Sequence, residues 1–101
     1  MITIYNIETE TSLQSLAAFI DETGLHVRQV LESEGWDYPR QRVEEDVVVS
    51  PENLLLLYNA LGVQAGDQAI LLKVLDSRLK NSLVHEFTRL LKQHNIPYYL
   101  Q

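Results

Sequence analysis

The chain of 101 residues contains no cysteine. That absence excludes disulfides, thiolate metal sites and cysteine nucleophiles, and it fits a reducing compartment, so a cytoplasmic protein is expected. Long hydrophobic runs are missing too. No unbroken apolar run exceeds five residues, as in Leu54–Tyr58, against the ~20 that a membrane-spanning helix needs, so no membrane role is expected. The opening "MITIYNIETE" has no basic region leading into an apolar stretch, and no signal peptide is read there. Motifs of catalysis are equally scarce. His26, His85 and His94 have no HExxH-like spacing, so no metal is expected. "GVQAG" is too short for a phosphate-cradling loop and fits neither GxGxxG nor the P-loop, so no cofactor is expected. The carboxylates show no informative pairing. The chain reads as a non-enzyme.

Basic charge is short as well, and unevenly spread. Residues 1–50 hold ten acids against Arg28, Arg40 and Arg42, a net of −7. Residues 51–101 hold four acids against five bases, a net of +1. Any polyanion should therefore prefer the second half. An apolar content of 46% is enough for one core, and a single domain over residues 1–101 is expected.

Along the chain, residues 2–7 alternate as a strand. Leu13, Leu16, Ala17 and Ile20 fall at i, i+3, i+4 and i+7, which predicts a helix ending near Gly24. Val27, Val30 and Leu31 predict a second short helix, closed by Gly35. "WDYPRQR" reads as a loop and Val47–Val49 as a short strand. Ser50-Pro51 starts a helix that Gly62 ends. "QAILLKVL", residues 68–75, is apolar on both faces and reads as a central strand. Ser77 then caps a helix over residues 78–94, and "IPYYL" reads as a last strand, 97–100. The order β-α-α-β-α-β-α-β predicts a small α/β sandwich: a four-stranded mixed sheet packed with helices, ending in a parallel β-α-β unit.

Two resemblances meet in residues 15–35. "SLAAFIDETGLHVRQVLESEG" resembles a helix-turn-helix, with an apolar stripe before "TGL" and Val30-Leu31 in the second helix. That resemblance implies a protruding helix over residues 25–34. Its Arg28 faces Glu32 and Glu34 in an acidic half, however, which argues against use on nucleic acid. "TGLHVR" also resembles the histidine-containing phosphocarrier family, as does the glycine spacing of "LGVQAGDQAIL". Val27 and Gln29 replace that family's alanine and proline. The resemblance implies that His26 accepts a phosphoryl group at a helix N-terminus and that Arg28 steadies it.

Three further sets of residues are candidates. On a helix over 78–94, Arg78, His85, Arg89 and Lys92 gather opposite the leucine stripe. They form a basic face suited to an acidic partner or, weakly, to nucleic acid. Trp36 and Tyr38 lie beside Arg40 and Arg42 in an aromatic loop that could grip a partner. Leu54, Leu55, Leu57 and Tyr58 crowd one helix with apolar side chains, so part of it is expected at a homodimer interface. The leading expectation is a non-catalytic binding or regulatory domain acting through protein contacts, its protein partner unidentified. A phosphocarrier-like domain using His26 is the first alternative. Nucleic-acid binding by the basic stripe is the second.

Overall fold

The computed structural model describes every residue except 36 and 37, and the backbone alone at 38–40. Four long strands come first: β1 (Ile2–Glu8), β2 (Ser12–Asp21), β3 (Gly24–Gly35) and β4 (Tyr38–Val49). Three helices follow, α1 (Leu54–Leu61), α2 (Gln68–Leu79) and α3 (Val84–Gln93), and then a two-residue strand β5 (Tyr99–Leu100). The strands form one sheet in the order β1-β2-β3-β4-β5, every neighbouring pair antiparallel. This corrects the sequence-based fold. The sheet has five strands rather than four, it is not mixed, and β5 returns antiparallel to β4, so there is no parallel β-α-β unit.

The two helices expected over residues 12–34 are instead the central hairpin. β2 satisfies helical spacing and strand alternation at once. Leu16 and Ala18 are fully buried on the helix-covered face, while Ser15, Ala17 and Phe19 alternate on the other. Asp21 and Gly24 pair across a two-residue loop, Glu22-Thr23, and Asp21 Oδ1 accepts the Thr23 amide at 2.8 Å. Gly24 has φ +124°, and a Cβ there would stand 2.1 Å from the Val49 carbonyl oxygen. Only glycine lets β4 come so close. The turn signal was real, and it belongs to a hairpin.

Residues 68–75, expected as a central strand, open α2. Asp67 caps that helix by accepting the Ile70 amide at 3.2 Å, and Leu71, Leu75 and Leu79 form its buried stripe at a spacing of four. The helix expected over 78–94 is thereby cut in two. Leu83 is extended, with φ −92° and ψ 168°, and α3 starts at Val84. Its buried stripe is Val84, Phe87 and Leu91. Other sequence-based boundaries lie close to those found: Ser50-Pro51 leads through a single 3-10 turn (Pro51–Asn53) into α1, and Gly62, with φ +68°, terminates it.

All three helices contribute to one core against one face of the sheet. Leu57, Leu71, Leu75, Phe87 and Leu91 meet Leu16, Leu25, Val27, Val47 and Val49, all fully buried. The layer does not reach the end of the sheet. A helix of twelve residues is about 18 Å long, whereas a strand of twelve is about 40 Å. α2 and β3 are both of that length. Two polar links mark where coverage stops. The Tyr5 hydroxyl donates to the Ser82 carbonyl at 2.7 Å, and the Val84 amide donates to Gln29 Oε1 at 2.8 Å. Both sheet residues lie in the cross-strand row Tyr5–Leu16–Gln29–Glu45. The molecule is correspondingly elongated, 49 × 25 × 22 Å.

Candidate functional site

The next row out is Ile7–Gln14–Leu31–Val43, on the face that the helices cover elsewhere. Ile7 is 56% exposed and Val43 52%. Gln14, Leu31, Ser33 and Val43 line a depression of about 350 Å³ in this bare stretch. Leu31 and Val43 are neighbours on β3 and β4, and Ile7 on β1 is set apart from them by Gln14 on β2; apolar surface shared between adjacent strands differs from leucines exposed singly. Sequence reasoning missed these residues. Val43 stands alone among charges in "RQRVEED", and only strand register places it beside Leu31.

On the opposite, helix-free face sits the histidine that the sequence singled out. His26 is in mid-strand on β3 and 3% exposed, with its ring stacked on Phe19 (centroids 4.5 Å apart, 7° between planes). Nδ1 lies 2.9 Å from Asp46 Oδ2, and Nε2 lies 2.6 Å from Thr23 Oγ1 and 3.1 Å from Asp21 Oδ1. Arg28 also donates to Asp46 Oδ2, at 3.1 Å, and its guanidinium lies 5.1 Å from the Phe19 ring centre. Asp46 Oδ1 is buried with no hydrogen-bond partner among the described residues. Hydrogen bonds from Thr23, chiefly its hydroxyl, hold the Asp21 carboxyl below its ordinary value, and the nearby His26 adds to this.

Thr23, His26 and Asp46 have the distances of a nucleophile, base and orienting carboxylate. The chemistry is not assembled around them. The Thr23 hydroxyl is also bonded to Asp21 at 2.6 Å, and the Thr23 amide, a natural oxyanion donor, is spent on the same carboxylate. The cluster locks the β2–β3 hairpin to β4. Nor does it resemble the phosphohistidine arrangement, which needs a ring open to solvent at a helix N-terminus. The helix over 25–34 that a DNA reader would present is strand β3.

The basic residues are divided between elements. Arg78 ends α2, while His85, Arg89 and Lys92 lie on α3. Arg78 and Arg89 nonetheless line one groove of about 200 Å³ with Leu79 and Leu90. Glu86 stands in that groove, 3.4 Å from His85 Nε2 and 3.8 Å from Arg89, and offsets part of its charge. The aromatic segment expected as a loop is strand from Tyr38 onward, the start of β4; Trp36 lies outside the described residues, as does the side chain of Tyr38.

The apolar α1 separates into two sides. Leu57 and Tyr58 are buried in the chain's own core and Leu54 is half-buried, so Leu57 and Tyr58 are not available to a second subunit. Leu55 (57% exposed) and Leu56 (44%) remain at the surface, as does Ile70 at the start of α2. No protein-family model, curated protein or solved structure matches this chain. Among the described residues, no group of histidines and carboxylates is arranged to hold a metal ion, and no helix is long and apolar enough to cross a membrane.

Proposed function

We propose that this chain is a non-catalytic binding domain that acts through protein–protein contacts, with the uncovered end of the sheet as its binding surface. The observation that carries this reading is the row in which exposed Ile7 and Val43 flank half-buried Leu31 on the face that is elsewhere the core-forming face. Among the described residues such a row is an apolar surface left open where the helix layer stops, and apolar surface of this kind marks interaction sites. A partner seated there would extend the existing layer over strands that are already ordered, so little conformational entropy opposes docking.

A photo-crosslinking amino acid placed at position 43 tests it in cells. The expected result is a discrete protein adduct. The same group at Asn6, which neighbours Ile7 in sequence but points to the other face, should give little. Equal labelling from both positions, or no protein adduct from position 43, would refute the reading.

A further inference from the structure

The basic side chains divide by what they meet. On the strands, Arg28 is committed to Asp46, and Arg42 to Glu32 and Glu44. On the helices, Arg78 and Lys92 pair with no carboxylate among the described residues, and Arg89 meets Glu86 only at 3.8 Å. An exposed pair that long holds neither group strongly. The groove that Arg78 and Arg89 share with Leu79 and Leu90 is followed by a second depression of about 480 Å³, lined in part by His85, Lys92 and again Arg89. Arg89 and Gln93 line both, so the two adjoin along α3. We infer that this tract docks a short acidic peptide segment of a partner protein, with carboxylates on Arg78, Arg89 and Lys92 and an apolar side chain on Leu90. The site shares no residue with the bare rows of the sheet and stands without them.

Charge and size select the occupant. Three full positive charges, Arg78, Arg89 and Lys92, stand here against the single carboxylate of Glu86, in a chain whose net charge is −6. Two guanidinium forks on one groove suit carboxylates, which each can take as a bidentate pair. Leu90 is half-buried and Leu79 buried, so the groove between the arginines has an apolar floor that a bare anion would leave unused. α3 has ten residues, a length of about 15 Å, which about four or five residues of extended chain would span. Nucleic acid fits less well. A long polyanion runs past the tract onto a chain whose residues 1–50 carry −7, whereas a short peptide ends within it. Glu86 competes for the same cations, so an incoming carboxylate takes its place beside Arg89.

Fluorescence anisotropy on the whole chain, with a short dye-labelled peptide of glutamates and leucines as the probe, tests this. The peptide should bind, less tightly as salt rises, and a version with lysine for glutamate should not. Arg78→Ala combined with Arg89→Ala should weaken binding roughly tenfold or more. Both side chains are exposed, so the circular dichroism spectrum should not change. Glu86→Gln should tighten binding by about two- to fivefold, because a competing carboxylate leaves the groove. Serine for leucine in the peptide should weaken it. No binding of the glutamate–leucine peptide would overturn the inference, and so would an affinity indifferent to the arginine pair or to Glu86→Gln. Tighter binding of a single-stranded oligonucleotide, lost in the same arginine variant, would overturn it too and make the tract a nucleic-acid surface.

Discussion

Gln29 decides where the helix layer ends, and replacing it by methionine isolates that role. Gln29 is 5% exposed and Val84 2%, so their hydrogen bond, 2.8 Å between Gln29 Oε1 and the first amide of α3, is shielded from water. Methionine fills nearly the same volume and is at least as apolar, so packing changes little. What is lost is the acceptor. A buried amide left without a partner costs about 1–3 kcal/mol, and loss of an ordinary helix cap about 0.5–2. Methionine recovers some transfer energy, so a destabilisation of about 1–2 kcal/mol is expected, which in a domain of this size lowers Tm by roughly 4–16 °C. Urea denaturation should show a lower midpoint with an unchanged slope, since the unfolded chain is equally exposed. Amide exchange should accelerate at Val84 and Phe87 before it does in β3, because α3 loses its tether to the sheet. A variant as stable as wild type would show that the α2–α3 turn is held by its leucines alone.

Two further outcomes follow from the hairpin. Gly24→Ala sets a Cβ 2.1 Å from the Val49 carbonyl oxygen at a φ of +124°. The backbone term alone is about 1–3 kcal/mol, the clash adds to it, and a variant within about 0.5 kcal/mol of wild type by urea denaturation would refute the packing described for β3 and β4. Asp21→Asn keeps the acceptor for Thr23 but removes the charge. The Asp21 carboxyl is held below its ordinary 3.8 by the Thr23 hydrogen bonds, so its contribution is complete above that value and is lost as pH falls through the lowered one. The advantage of wild type over Asp21→Asn should therefore be greatest near neutrality and shrink in acid. An advantage that grows as pH falls would have the wrong sign.

How much of this was legible in the sequence depends on whether the signal was local. β1, the Ser50-Pro51 start of α1 and its Gly62 end rest on alternation and capping within a few residues, and all could be read. β2 could not be assigned by period alone, because "SLQSLAAFID" carries apolar residues on both faces and so fits both periods. "QAILLKVL" failed for the same reason, although Asp67 before it was an available capping signal. The His26 cluster was hidden by distance: Asp46 is twenty residues away and meets the ring only through the register of β3 with β4. A histidine beside a glycine turn looks the same in sequence whether a helix or a strand follows.

The proposed binding surface is the extreme case, for its signal is a mismatch of lengths. The row Ile7–Gln14–Leu31–Val43 continues the strand face that bears the core further along, beyond a row in which Gln29 is buried and Glu45 exposed. What makes the row exposed is that a residue in a strand advances about 3.3 Å and one in a helix only 1.5 Å. Helices of twelve and ten residues, folded back on each other at a turn pinned by Tyr5 and Gln29, cannot reach as far as strands of twelve. Extending the alternation beyond that reach places apolar side chains where no helix among the described residues is set on them. Those side chains, Ile7 and Val43 the most exposed among them, are what the proposed protein contact rests on.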